Sequence, residues 1–114
     1  MARMKWLVET LNSVVDAELN DLPADMLARF HSVAGLIEEF GLERVREPHV
    51  KHIRGPLWEM RLKGKDGISR ALYVTAHGRR VVVVRVFVKK SEKTPAREIE
   101  LALRRVKEIA HEQS

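Results

Sequence analysis

Three strand-like runs follow one another in the second half of the chain, and only very short turns separate them. The runs span residues 57–63, 69–76 and 80–88. In each run the apolar side chains either alternate with polar ones or follow one another without interruption, and both patterns are typical of strands. Gly64 and Gly67 bracket the first turn, and His77 and Gly78 form the second. Connections this short join neighbouring antiparallel strands, so the sequence predicts an antiparallel meander.

The spacing of apolar residues predicts which faces of the sheet are covered. In the first run, Trp58, Met60 and Leu62 alternate with charged residues, so one face enters a core and the other carries charge. The last run is apolar throughout positions 81–88 except for Arg85. Such a run is typical of a strand that is covered on both faces.

Two segments have the spacing of amphipathic helices. The first begins with Pro23 and ends at Gly41, and the second has Thr94 as its N-cap and Pro95 as its first helical residue. The apolar stripes, which we expect to lie in the core, are Met26, Phe30, Val33, Ile37 and Phe40, followed by Ile99, Leu103, Val106 and Ala110.

The remaining segments predict short elements. We expect an edge strand over residues 5–10, a short helix over 14–19, and an irregular connection with part of a strand over 42–55. The whole chain, residues 1–114, then forms one α+β domain in which helices pack on a small antiparallel sheet.

Composition limits the partners and the chemistry. The net charge of +5 and pI near 9.9 favour a polyanion or an acidic protein as partner. The absence of cysteine excludes disulfides and thiolate chemistry. No apolar run has the length of a signal peptide or a membrane span, so we expect a soluble cytoplasmic protein that does not associate with membranes.

Motifs for nucleotide cofactors and metals are absent from the sequence. There is no GxGxxG, P-loop or HExxH pattern, and His49 and His52 have no accompanying carboxylate cluster. We therefore expect neither a cofactor nor a metal, and the residues left to carry chemistry are cationic.

The cations of the sheet have both structural and functional interpretations. Arg85 either neutralises Glu59 across the sheet or lies in a ligand groove. Lys89 and Lys90 either form a charged strand end that discourages edge pairing or clamp a phosphate. Alternation along the second run puts Arg70 and Tyr73 on opposite faces, and Leu72 and Val74 draw Arg70 toward a packed face. Tyr73 is either a core aromatic with a hydrogen-bonded hydroxyl or a platform on which a base stacks.

The order of these residues resembles the HigB-like branch of the RelE/ParE toxin superfamily. The motifs that carry the resemblance are Leu57-x-Glu59-x-Arg61, Arg70-x-x-Tyr73 and Phe87-x-Lys89-Lys90-x-x-Lys93-Thr94-Pro95. The resemblance implies a microbial ribonuclease-like sheet with helices on one side. It also implies a type II toxin that cuts messenger RNA in the ribosomal A site. A helix-turn-helix antitoxin would neutralise the toxin and provide its contact with operator DNA.

The resemblance also suggests roles for individual residues in a metal-independent cleavage. Arg61 and Arg70 would stabilise the transition state, Lys89 or Lys90 would lie near the leaving group, and the base would be Glu59 or His52. Residues expected to bind RNA are Lys51, His52, Tyr73, Arg85 and Lys93.

Two other functions fit the same sequence. One is a ParE-like toxin that does not cut RNA and instead binds a protein such as gyrase. The other is an inactive binding module that acts with its antitoxin in autoregulation on DNA.

Overall fold

The computed structural model describes residues 5–45, 49–89 and 93–113, except for the side chains of residues 110–113. It confirms the α+β class and each of the predicted strands and helices. In chain order the elements are β1 (Leu7–Thr10), α1 (Ser13–Asn20), α2 (Ala24–Phe40), a short 3-10 helix (Leu42–Arg44), β2 (Val50–Arg54), β3 (Leu57–Gly64), β4 (Gly67–Ala76), β5 (Arg80–Lys89) and α3 (Ala96–Gln113).

The sheet has five strands in the order β1-β5-β4-β3-β2. Strands β3 to β5 form the predicted antiparallel meander, and β2 extends it by pairing antiparallel with β3. Strand β1 pairs in parallel with β5, so the sheet is mixed and not wholly antiparallel as predicted. A strand that lies so far from its neighbour in sequence is not constrained by a hairpin, and parallel pairing is then open to it.

Helices cover both faces of the sheet, which differs from the one-sided arrangement that the resemblance implied. Helices α1 and α2 pack with Met60, Leu62 and Tyr73 on one face, and Val33 and Ile37 lie in this core as predicted. Helix α3 packs on the other face through Ile99, Ala102 and Ile109, on strand residues that include Leu72, Val74, Val82 and Val84. The valines of β5 alternate between these two cores, which explains why this strand is apolar on both sides.

The ends of the helices follow local chemistry with small shifts from prediction. Gly41 ends α2 with φ of 92°, a conformation that glycine adopts without steric strain. Pro23 is the N-cap of α2 and not its first helical residue, so the helix begins at Ala24, one residue later than predicted. The hydroxyl of Thr94, predicted to cap α3, donates instead to the Glu59 carboxylate on β3. Among the described helices, none is long and apolar enough to cross a membrane.

Candidate functional site

Most of the predicted site residues lie on the face of the sheet that α3 covers. Arg61 lies opposite Arg70 in the register of β3 and β4, and Arg70 lies opposite Phe87 of β5. Lys51 of β2 lies opposite Glu59 of β3. Opposed residues in a sheet share a face, so this register gathers cations from three strands around one carboxylate.

A β-bulge in β5 decides which of its residues reach this face. Leu72 lies opposite Arg85 whereas Tyr73 lies opposite Val83, so Val84 is an extra residue in β5. Val83 therefore joins the core beneath α1 and α2, while Phe87 packs with the residues under α3. Without the bulge, strict alternation would direct Arg85 and Phe87 to the opposite face.

Glu59 is the centre of the cationic cluster. Its side chain is only 1% exposed and accepts hydrogen bonds from three sides. Arg70 Nη1 makes a short contact with Oε1, and Arg61 Nε approaches the same oxygen at 3.5 Å. Thr94 Oγ1 donates to Oε2 at 2.6 Å. A buried carboxylate with these partners is held in one orientation and in turn orients the two guanidinium groups.

Lys89 adds a buried cation to this cluster. The residue is 5% exposed, and its Nζ has no hydrogen-bond partner within the part of the chain that the structure describes. Burial, reinforced by the charge of Arg70, lowers the pKa of Lys89, and the Glu59 carboxylate opposes this shift. The prediction of an exposed, charged strand end is therefore wrong for Lys89. Lys90 lies outside the described residues.

A cavity of about 340 Å³ opens beside the cluster. Three cations line it, Lys51, Arg61 and Lys93, together with the single carboxylate of Glu59. The side chain of Arg61 is 31% exposed and joins the cavity to the cluster. Arg70 and Lys89 do not line the cavity and lie in the buried part of the cluster. The cavity therefore presents an excess of positive charge to a ligand.

Two predicted site residues face the opposite side of the sheet. Tyr73 is 1% exposed in the core beneath α1 and α2, and burial raises its pKa above the usual value. His52 is on the edge strand β2 and lies opposite Trp58 of β3. The centroids of the imidazole and indole rings are 5.0 Å apart. His52 Nε2 lies 2.8 Å from the carbonyl oxygen of Gly55. Because a carbonyl can only accept, we assign the proton to Nε2, which leaves Nδ1 as the acceptor in the neutral ring.

Arg85 stands apart from the cationic cluster. Its Nε and Nη2 donate to the two oxygens of Glu98 at 2.8 and 3.1 Å, and its Nη1 lies 2.8 Å from Glu18. The prediction that Arg85 neutralises Glu59 is therefore wrong, because Glu59 pairs with Arg70 and Arg61. Hydrogen bonding to Glu98 raises the pKa of Arg85 despite its partial burial.

The segment before α3 contributes to the site in a way that the sequence does not indicate. Thr94, which the sequence predicts as a helix cap, donates to Glu59 and lines the cavity together with Ile99. No local signal distinguishes a capping threonine from one whose hydroxyl reaches a strand far away in sequence. No group of three or more His, Cys, Asp or Glu side chains in the described ranges is arranged to hold a metal.

The comparisons with known proteins define first a fold and then a family. The fold is similar to a chain in the crystal structure of the archaeal RelE–RelB complex from Pyrococcus horikoshii OT3, with a TM-score of 0.53. The match has 20% identity and covers 75% of this chain and 96% of that chain. No curated protein matches the sequence.

The sequence profile of the family described as "Phage derived protein Gp49-like (DUF891)" matches residues 17–107. The chain belongs to this Gp49-like family, which is a RelE/HigB-type toxin family. It is thus a RelE-like toxin of the kind found in toxin–antitoxin systems.

Proposed function

We propose that the protein is a metal-independent endoribonuclease that cuts messenger RNA on the translating ribosome. The observation that supports this proposal is the cationic cavity, in which Lys51, Arg61 and Lys93 surround one carboxylate that is already bound to arginine. A site of this charge attracts a phosphodiester and stabilises the additional negative charge of its transition state.

Arg61 is the residue best suited to contact the scissile phosphate, because its guanidinium is anchored to Glu59 yet partly exposed to the cavity. Arg70 and Lys89 lie beneath the cavity and would act through the positive potential that they maintain there. Glu59 is a positioning residue, because its oxygens already accept from Arg61, Arg70 and Thr94.

The candidate base is His52, which belongs to the edge strand and lines the same cavity. Its ring packs against Trp58 on the opposite face, so it would turn around this edge to bring Nδ1, the acceptor of the neutral ring, to the RNA. In this mechanism Nδ1 takes the proton of the 2′-hydroxyl, the 2′-oxygen attacks phosphorus, and the departing 5′-oxygen takes a proton from water. The products are a 2′,3′-cyclic phosphate and a 5′-hydroxyl. The ribosome would align the strand for in-line attack, which explains how a small site could suffice.

The partner in resting cells would be an antitoxin. The structural neighbour comes from a RelE–RelB complex, and we extend that association to this chain. An antitoxin with complementary acidic and apolar surface would cover the cationic face and would provide contact with operator DNA through its helix-turn-helix domain.

The test is to express the protein in a bacterial host and to map the ends of messenger RNA. We expect cuts at defined codon positions, and we expect Arg61→Ala to reduce them about 100-fold or more because it removes charge stabilisation of the transition state. Lys107→Ala, which removes an exposed lysine of α3, is the matched control and should leave the cuts unchanged.

Three other outcomes would contradict the proposal. Growth arrest with intact transcripts and DNA damage signalling would indicate a gyrase-directed toxin. Absence of a growth defect, with DNA binding that requires the antitoxin, would indicate an inactive binding module. Equal cleavage by the protein with and without ribosomes would retain the nuclease but overturn its dependence on translation.

A further inference from the structure

A second and larger cavity lies on the opposite face of the sheet from the cationic one. It has a volume of about 650 Å³, within the range of small-molecule sites. We call it the aromatic cavity, and its lining residues are Trp6, Leu42, Glu43, Val45, Val50, Lys51, His52, Trp58 and Tyr73. Both tryptophans of the sequence are among them.

The aromatic cavity combines ring faces with one deeply placed polar group. Trp58 is 38% exposed and presents its indole beside the ring of His52. Tyr73, almost fully buried, also lines the cavity. A phenol hydroxyl both donates and accepts, so at this place it can hydrogen-bond the edge of a bound planar ring. Stacking surfaces with a polar contact at one edge are the features that recognise a nucleobase.

Two residues connect the aromatic cavity to the cationic cavity. Lys51 and His52 line both, and they belong to β2, the outermost strand of the sheet. Their side chains alternate across this edge, because Lys51 lies opposite Glu59 and His52 lies opposite Trp58. A single RNA strand that passes around this edge can place a phosphate near Lys51 on one side and a base against Trp58 on the other.

We propose that the aromatic cavity binds one nucleobase of the RNA, adjacent to the nucleotide whose phosphate occupies the cationic cavity. This inference rests on the proposed function and adds a base-recognition site to it. RNA is favoured over an apolar side chain of the antitoxin because Lys51 joins the aromatic cavity to the cationic one. The three cations that line the two cavities, Lys51, Arg61 and Lys93, outnumber their two carboxylates, Glu43 and Glu59, which suits a polyanionic strand. The aromatic cavity would then contribute to the choice of codon.

The two tryptophans allow a direct measurement. We expect non-cleavable 2′-O-methyl tetranucleotides to quench tryptophan fluorescence on binding, with different affinities for the four bases. Trp58→Leu should weaken the tightest of these complexes about 10-fold or more, because it removes a stacking surface, while Trp6 still reports binding. Phe40→Leu is the matched control, since it removes an exposed ring of α2 that does not line the cavity, and it should not change the affinity.

A second variant tests the polar contact and keeps the ring. Tyr73→Phe removes only the hydroxyl and should reduce the difference in affinity between the best and worst bases about fivefold. Circular dichroism of each variant verifies that it is folded. If folded Trp58→Leu and Tyr73→Phe bind all four tetranucleotides as the unaltered protein does, the inference is overturned.

The inference and the proposed function can fail separately. If Trp58→Leu leaves RNA binding and the sites of cleavage unchanged while Arg61→Ala abolishes cleavage, the base site is wrong and the nuclease stands. If quenching depends on Trp58 but no cleavage occurs with or without ribosomes, the base site stands and the nuclease is wrong. If Trp58→Leu weakens only the complex with the antitoxin, the cavity serves a protein partner and the inference is overturned.

Discussion

At the scale of single residues, Lys89 is the most informative side chain of the cationic cluster. A lysine at 5% exposure, without a hydrogen-bond partner in the described ranges, is unfavourable for folding. Its neighbours Arg70 and Arg61 add repulsion, which the single carboxylate of Glu59 only partly offsets. Residues that reduce stability while they maintain a positive potential are typical of functional sites.

Lys89→Met should separate these two effects. The apolar side chain keeps the volume and removes the buried charge, so we expect the free energy of unfolding to rise by about 1–2 kcal/mol at pH 7. We also expect RNA cleavage to fall about tenfold or more, because the potential beneath the cavity is reduced. Urea unfolding and a cleavage assay measure the two quantities, with Lys107→Met as the exposed control.

The pH dependence gives an independent check on the same residue. The pKa of Lys89 in the folded protein is lowered below 10.5, the value in the unfolded chain. At a pH between the folded and the unfolded pKa, the unfolded chain therefore binds more protons than the folded one. The contribution of Lys89 to stability must therefore increase as the pH rises through this window towards 10.5. Lys89→Met should abolish that increase, and an unchanged profile would mean that the lysine is not desolvated.

At the scale of elements, α1, β5 and α3 are joined by a network of charges at the end of β1. Glu18 of α1 accepts from Arg105 of α3 at 3.0 Å and from the backbone N–H of Val86 at 3.1 Å. Arg85 of β5 bridges Glu18 and Glu98. Arg105 also donates to the carbonyl of Val84, the bulged residue. The network thus satisfies β5 backbone groups beyond the point where β1 ends.

Glu18→Gln should weaken this network in a pH-dependent manner. Burial raises the pKa of Glu18, but the hydrogen bonds of Arg105 and Val86 and the charge of Arg85 together lower it. The stabilisation is therefore present above 4.5, the value of the unfolded chain, and is lost as the pH falls through the lower folded value. We expect a loss of about 1–3 kcal/mol at pH 7.

The matched control for this variant is Glu108→Gln, an exposed carboxylate on α3. This variant should not change the free energy of unfolding, either at pH 7 or below pH 4.5. The loss for Glu18→Gln should shrink as the pH is lowered from 4.5 through the lower folded pKa of Glu18, below which the glutamate is neutral in the folded protein as well. A loss of equal size at all pH values would mean that packing and not charge accounts for the effect.

At the scale of the whole molecule, charge is distributed unevenly. The chain carries a net charge of +5 with 16 acidic residues, so many of its charges cancel. The cationic cavity nevertheless has three cations for one carboxylate, because Glu9, Glu18 and Glu98 are paired with arginines elsewhere. The fold thereby concentrates a modest excess of charge at one place.

Binding of single-stranded RNA should therefore weaken steeply with salt. Each phosphate contact adds about 0.7 to the slope of log affinity against log salt concentration. We expect Lys93→Ala to reduce that slope by about 0.7, whereas Lys107→Ala should leave it unchanged. Fluorescence titrations at several salt concentrations provide the slopes. Equal slopes for both variants would mean that Lys93 does not contact a phosphate of the RNA.

The sequence by itself determined the order of elements, the meander and the helical faces. Alternation with a period of two along 57–63 identified the charged face of β3, and the turn residues set the antiparallel pairing. These features are local, since each depends on residues a few positions apart. The same local rules placed Arg70 on a packed face and Tyr73 on the opposite one.

Only the tertiary structure decided which charges meet. The bulge at Val84 reverses which face of the sheet the later residues of β5 occupy, and no residue type near Val84 predicts this change. The bulge brings Arg85 to the face of Glu59, yet Arg85 pairs with Glu18 and Glu98, and Glu59 pairs with Arg70, Arg61 and Thr94. Alternation along a strand indicates a face, whereas the partner of a charge depends on strands and helices far away in sequence, which is why the sequence alone could not identify these pairs.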